Sequence, residues 1–69
     1  MKLRYFPDTD TLYINLKDKP STESEEIAAE VIVDFDAEGE VVGITIDHAS
    51  KKLDSLSVET LFPTPVVGA

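Results

Sequence analysis

The sequence predicts an α+β fold that is mainly β: an antiparallel meander of about four strands, arranged as two hairpins, with a short C-terminal helix or turn segment. Two observations predict this class. Apolar and polar residues alternate with a period of two over much of residues 2–16 and 31–47, which is typical of half-buried strands. Within each stretch lies a four-residue segment whose residue types favour a tight turn.

The first hairpin is predicted to reverse at Pro7-Asp8-Thr9-Asp10. Proline presets the backbone of an early turn position, and each aspartate can bond to its own local backbone. The predicted pairs are Leu3 with Ile14, Arg4 with Tyr13, Tyr5 with Leu12 and Phe6 with Thr11. The alternation and the turn chemistry are independent of each other, and they give the same register.

The second hairpin is predicted to reverse at Asp36-Ala37-Glu38-Gly39, where aspartate first and glycine fourth favour a type I turn. A four-residue loop there pairs Val33 with Val42 and Val31 with Ile44. The two hairpins would then share one buried face. Its predicted members are Leu3, Tyr5, Leu12, Ile14, Leu16, Val31, Val33, Phe35, Val42, Ile44 and Ile46.

The segments outside the hairpins carry weaker patterns. Residues 17–30 include Ser24-Glu25-Glu26-Ile27-Ala28-Ala29, which has helical propensity but is too short to form a helix alone, so we predict an irregular or bulged lead-in to the third strand. Residues 49–53 and 56–62 favour a short helix or a pair of turns. Prolines then favour an extended tail over residues 63–69, which leaves one domain over residues 1–62.

The small size of the chain predicts thin stability and self-association. A chain of 69 residues buries only roughly 60% of its unfolded surface, so the hydrophobic gain is close to the ordering cost. The sequence has no cysteine, which excludes a disulfide or a thiolate metal site. We therefore expect a homodimer. No apolar run has the length of a membrane span, so we expect a cytoplasmic protein without a membrane partner.

The charge is strongly acidic, with fourteen Asp or Glu against six Lys or Arg and a net charge of −8. From Pro20 to Ser50 there is no Lys or Arg, and the acids there are Glu23, Glu25, Glu26, Glu30, Asp34, Asp36, Glu38, Glu40 and Asp47. Binding to nucleic acid phosphates needs a basic surface, so we expect no nucleic-acid ligand. An acidic field instead attracts a basic protein partner, although it also simply keeps a small protein soluble.

Three acids around the second turn, Asp34, Asp36 and Glu38, are weak candidates for a metal site. With Gly39 they match the start of a calcium-binding EF-hand loop. Position twelve of that loop needs a bidentate glutamate and here is Thr45, and the flanks are predicted strands instead of helices. Weak divalent-metal binding, or a minimal metal-assisted hydrolase, is therefore the alternative function.

The other chemical candidates favour a protein that is not an enzyme. His48 stands beside Asp47, but neighbours on a strand point to opposite faces, so the pair does not form a catalytic dyad and a surface histidine is the default. Gly39 and Gly43 do not open a helix after a strand, so no phosphate-binding loop is present.

The second face of the predicted sheet is a candidate protein interface. Its aromatic, aliphatic and arginine side chains are types found in interface cores. The candidate residues are Arg4, Phe6, Tyr13, Ile32 and Val41. The alternative is that the C-terminal segment covers them within the monomer.

The sequence resembles the family known as domain of unknown function 2283, small prokaryotic proteins without an established activity. The resemblance runs from Tyr5 to about Leu53, through Asp10-Thr11-Leu12-Tyr13-Ile14, Ser24-Glu25-Glu26, Asp34-Phe35-Asp36, Val42-Gly43-Ile44 and Ala49-Ser50-Lys51. Phe6 and His48 depart from it, since many relatives have aspartate at these positions.

This resemblance implies a small β-rich domain with no known cofactor and no catalytic residues to transfer. Members of the family can be encoded beside small toxin-like ribonucleases, which implies an antitoxin-like association. The resulting hypothesis is a non-enzymatic protein-interaction module, a homodimer that neutralises a basic protein partner.

Overall fold

A computed structural model describes residues 1–55, which form five strands and one short helix. The elements are β1 (Lys2–Phe6), β2 (Thr11–Asn15), β3 (Glu23–Ala28), β4 (Val31–Phe35), β5 (Val41–Asp47) and α1 (Ala49–Lys52). The strands form one antiparallel sheet in the order β1-β2-β5-β4-β3. The predicted mainly β class is confirmed, with five strands instead of about four.

The first hairpin has the predicted register, including Arg4 opposite Tyr13 and Tyr5 opposite Leu12. The turn ends at Asp10, which has a positive φ of 56°. Aspartate adopts this left-handed conformation more readily than most residues, because its short side chain can bond locally. A local pattern was therefore sufficient to predict the register of this hairpin.

The predicted register of the second hairpin is wrong by two residues. Val33 pairs with Ile44 and Val31 with Ile46, and an irregularity follows Asp34. The loop is longer than predicted because the backbone N–H of Asp36 donates to the Glu40 carbonyl oxygen at 2.9 Å. A shift of two residues keeps Val31, Val33, Ile44 and Ile46 on their predicted face, so the pattern of burial in these strands survives the error.

Residues 23–28, predicted as an irregular lead-in, form a complete edge strand. β3 pairs with β4, and its register shifts between Glu26 and Ala28. The connection from β2 passes the end of β5, where the backbone N–H of Leu16 donates to the Val42 carbonyl at 2.8 Å. The third strand of the chain is therefore at the far edge, and β5 becomes the neighbour of β2. This order differs from the predicted simple meander.

The sheet is a single layer with two faces, because successive side chains of a strand point to opposite sides. Leu12 and Tyr5 line a pocket with Ala49 and Leu53, so α1 covers the side that carries Leu12, which we call the helix face. We call the opposite side the Tyr13 face, and its residues include Lys2, Arg4, Phe6, Tyr13, Asn15, Ser24, Glu26, Ile32, Asp34, Gly43 and Thr45.

The core of the described residues is small. Its buried apolar residues are Leu12, Val33, Val42 and Ala49. Of the residues predicted on the buried face, Tyr5 remains 45% exposed and Leu16 37% exposed. The prediction of a thin apolar layer therefore agrees with the described structure, although fewer residues are buried than the alternation suggested.

The predictions for the C-terminal part of the chain lie only partly within the described residues. The predicted helix is confirmed at residues 49–52. The segment at 56–62, the domain boundary at 62 and the extended tail at 63–69 lie outside the described residues. Within the described residues, no helix is long and apolar enough to cross a membrane.

Candidate functional site

The Tyr13 face brings together most of the predicted interface residues in one row across the sheet. Arg4 pairs with Tyr13, Tyr13 with Thr45, Thr45 with Ile32, and Ile32 with Glu26. The outer two side chains are exposed, and the inner three are partly buried. The row thus runs from a cation through an aromatic and apolar centre to a carboxylate.

Two other interface candidates lie differently. Phe6 belongs to the Tyr13 face at the end of β1 and is 44% exposed. Val41 pairs with Phe35, beyond the irregularity that follows Asp34. Since Phe35 alternates with Asp34, this pair is outside the row of the Tyr13 face. The structure therefore groups Arg4, Phe6, Tyr13 and Ile32 and separates Val41 from them.

A second row on the same face has the same polarity. Its members are Lys2, Asn15, Gly43, Asp34 and Ser24. The Tyr13 side chain leans over Gly43, since a Cβ built there would lie 3.0 Å from the Tyr13 Cζ atom. Sequence reasoning gave this glycine no role beyond excluding a phosphate loop, and its position under an aromatic ring explains why no side chain stands there.

The three candidate metal ligands have separate partners. Asp34 accepts a hydrogen bond from the Ser24 hydroxyl at 2.6 Å, and Glu38 lies 3.5 Å from the Lys19 ammonium. Asp36 is buried and points back into its own loop. In residues 1–55 no group of three or more metal-ligating side chains converges.

Asp36 organises the β4–β5 loop. Its Oδ1 atom accepts hydrogen bonds from the backbone N–H groups of Glu38 and Glu40, each at 2.9 Å. The Glu40 N–H does most to lower the pKa of Asp36, and the Glu38 N–H and the charges of Lys19 and Lys17 act in the same direction against burial. Its Oδ2 atom is buried without a protein partner in the described part of the chain. These contacts fix a loop conformation and present no ligand set.

A polar cluster that the sequence analysis missed joins the first turn to α1. Asp10 accepts hydrogen bonds from the Tyr5 hydroxyl and the Ser50 hydroxyl, each at 2.6 Å, and from the Ser50 backbone N–H. The Ser50 hydroxyl, followed by that of Tyr5, lowers the pKa of Asp10, while the bond to Asp10 raises the pKa of Tyr5. A carboxylate held in its charged form is a weak general base. The hydrogen bonds of Asp10 instead have a structural role, because they connect α1 to the first hairpin.

His48 has a different partner from the one weighed in the sequence. Its Nδ1 atom contacts Glu30, which also lies 3.1 Å from the Lys52 ammonium, and these two contacts, that of Lys52 first, lower the pKa of Glu30. Asp47 instead accepts a hydrogen bond from the Thr11 hydroxyl at 3.2 Å. His48 is exposed, as expected of a surface histidine at a strand end, and no described nucleophile contacts it.

These side contacts share one structural cause. Asp10, Glu30 and His48 all have positive φ angles, of 56°, 63° and 55°, and all lie at the same end of the sheet. The chain reverses sharply there, which brings residues distant in sequence into contact. Their separation, up to 40 residues, explains why no local pattern identified them.

Comparison with known proteins gives one match. The family model described as "Protein of unknown function (DUF2283)" matches residues 2–50, which include all five strands and the start of α1. No curated protein and no solved structure matches the chain.

Proposed function

The chain belongs to DUF2283, a family of proteins of unknown function, and from this premise we propose that it is a non-enzymatic protein-interaction module that forms a homodimer and binds a basic protein partner. The observation that carries the proposal is the Tyr13 face. It combines an exposed aromatic residue, Phe6, with a row of partly buried residues centred on Tyr13, and α1 lies on the other side of the sheet.

The size of the core supports self-association. A single sheet needs to cover apolar surface with another layer, and the described chain supplies one helix of four residues for one face. A second copy of the chain provides a layer of matching size and shape. We therefore assign the Tyr13 face to the homodimer.

The acidic edge of the sheet supports a basic partner. β3 carries Glu23, Glu25 and Glu26, all its residues are exposed, and it pairs with β4 on one side only. An exposed strand edge offers backbone hydrogen bonds to an extended segment, and the carboxylates favour lysine and arginine in that segment. An antitoxin-like neutralisation of a basic toxin is one form of this activity.

The contacts in the described residues give the hydrolase alternative no specific support. Asp34, Asp36 and Glu38 bond to different groups, and His48 contacts Glu30. Each of these contacts has a structural explanation. We therefore propose no catalytic role for these side chains.

Two measurements test the proposal. Sedimentation equilibrium of the full chain at micromolar concentration is expected to give the mass of a dimer. Calorimetric titration with an extended lysine- and arginine-rich peptide is expected to show binding that weakens as salt rises, because charge contributes to it. A chain that stays monomeric and binds no basic protein contradicts the proposal.

A further inference from the structure

The Tyr13 face is electrically polarised across the sheet. Lys2 and Arg4 project from β1 at one edge, whereas Asp34 projects from β4 and Glu26 from β3 near the other edge. Both transverse rows therefore run from base to acid in the same direction. Five strands about 4.8 Å apart place the two ends of a row about 19 Å from each other, so these charges do not neutralise one another within a protomer.

This polarity selects one way for two copies to meet. A two-fold axis that runs parallel to β5, between two facing sheets, reverses the order of the strands in the partner. Arg4 then lies against Glu26 of the partner, and Tyr13 lies against Ile32 of the partner, while Thr45 meets its own copy. An axis that runs along the row instead opposes Arg4 to Arg4 and Glu26 to Glu26, which like-charge repulsion disfavours.

We infer that a second copy of this chain packs on the Tyr13 face about a two-fold axis parallel to β5, with reciprocal Arg4–Glu26 ion pairs at its two sides. This inference rests on the proposed homodimer and specifies its geometry. The arrangement is isologous, because the same surface of both protomers forms the interface and each pair of different residues occurs twice. It also keeps the strands of the two sheets aligned, as in sandwich packing.

The individual side chains suit these roles. Arg4 is exposed and has no ion pair among the described residues. Glu26 is exposed, and its Oε2 atom accepts a hydrogen bond from the Glu30 backbone N–H at 3.2 Å, which leaves Oε1 for a cation. Gly43 lets the Tyr13 ring lie down over the sheet, so the centre of the face stays low enough for close approach.

The dimensions of the face predict the strength of the dimer. Five strands and about five residues per strand cover about 400 Å² in plan. This is about half of the roughly 800 Å² per partner of a standard specific interface, so the dimer is expected to be in reversible exchange with the monomer. The affinity across a small interface depends strongly on the arrangement of its charges. Exchanging the charges at Arg4 and Glu26 therefore tests the geometry directly.

The experiment uses full-length Arg4→Glu and Glu26→Arg chains in sedimentation equilibrium, separately and mixed. Each variant alone opposes like charges twice and is expected to weaken the dimer at least about tenfold. In a mixture, both pairs become Glu–Arg again, so a heterodimer is expected with an affinity near that of the wild type. The double variant with both changes is also expected to dimerise.

Glu25→Arg is the matched control, because it makes the same charge change on the same strand but on the helix face. It is expected to leave the dimer within about threefold of the wild type. Glu26→Gln removes the charge but keeps a side-chain oxygen that accepts from the Glu30 N–H. A weaker dimer in this variant therefore reflects loss of the charge and not loss of the turn bond. Circular dichroism checks that each variant is folded.

The outcomes separate the inferred geometry from the proposed function. A wild-type chain that is monomeric overturns the homodimer itself. A wild-type dimer that Arg4→Glu and Glu26→Arg weaken no more than Glu25→Arg does overturns the geometry alone. Weakening by the single variants without recovery in the mixture also overturns the geometry, because reciprocal pairing requires that recovery.

Discussion

The aromatic ring of Tyr13 occupies the space above Gly43 where a side chain would otherwise project. A Cβ atom built on Gly43 would lie 3.0 Å from the Tyr13 Cζ atom and 3.3 Å from Cε1, both closer than ordinary contact. Glycine inside a strand weakens it, and an aromatic ring that covers it restores part of the lost packing. Gly43 therefore weakens β5 locally, and the Tyr13 ring compensates for this loss of packing at the centre of the Tyr13 face.

This contact predicts a coupling between the two positions. Gly43→Val is expected to displace the Tyr13 ring and to lower the free energy of unfolding by about 1–2 kcal/mol, despite the strand preference of valine. In a Tyr13→Thr background the space is free, so the same valine is expected to be neutral or stabilising. Urea unfolding of the four chains measures the cycle. Equal effects of Gly43→Val in both backgrounds contradict the contact.

Asp36 predicts a loss of stability in acid. Its pKa is lowered in the folded chain, so as pH falls the unfolded chain takes up the proton first. The stabilisation is present above the ordinary pKa of about 3.9 and disappears as pH falls through the lower folded value. The urea midpoint of the wild type is therefore expected to fall more steeply below pH 4 than that of Asp36→Asn. Asp8→Asn, in the exposed first turn, makes the same charge change and is expected to keep the steep profile.

The Ser50 hydroxyl is expected to stabilise the attachment of α1. Ser50→Ala removes the hydrogen bond of the hydroxyl to Asp10, at a cost of roughly 1 kcal/mol, and in a chain of this size that cost is expected to lower the Tm by about 7 °C. Ser55→Ala, at an exposed position outside the helix, is the control and is expected to leave the Tm unchanged. If the two variants melt together, the Asp10 cluster does not hold the helix.

The backbone at His48 predicts that its conformation matters more than its imidazole. With φ at 55°, this position tolerates asparagine or glycine but strains a β-branched residue. His48→Asn is expected to match the wild type in urea unfolding, whereas His48→Val is expected to lose about 1–2 kcal/mol. Equal losses for asparagine and valine would show instead that the contact with Glu30 dominates, because both variants remove the imidazole.

The sequence predicted what depends on local patterns, and it missed what depends on side-chain contacts across the fold. The first hairpin was predicted to the residue pair, because Pro7 and Asp10 bound a short turn between two alternating runs. The second register failed because the Asp36 carboxylate binds the Glu40 N–H in a loop one residue longer than predicted, and the irregularity after Asp34 shifts the pairing by one residue more. A period-two count contains no information about that bond.

The edge strand and the polar cluster were missed for different physical reasons. β3 is exposed at every residue, so it has no apolar alternation from which a strand can be recognised. Asp10 and Ser50 are 40 residues apart, and only the folded sheet brings them together. The shared face of Arg4, Tyr13 and Ile32 follows directly from alternation, whereas the placement of Val41 depends on the register after Asp34.

The dimer is expected to respond differently when a carboxylate is added to one face of the sheet or to the other. Phe6 and Leu16 are similarly exposed, at 44% and 37%, but Phe6 lies on the Tyr13 face, whereas Leu16 directly follows β2 and continues the apolar alternation of Leu12 on the helix face. Phe6→Asp adds a carboxylate and removes an aromatic contact from the proposed interface, so it is expected to raise the dimer Kd at least about tenfold. Leu16→Asp adds the same charge to the same acidic chain and is expected to change the Kd by less than about threefold. Sedimentation equilibrium of both variants measures the difference, and a dimer weakened more by Leu16→Asp than by Phe6→Asp places the interface on the helix face instead.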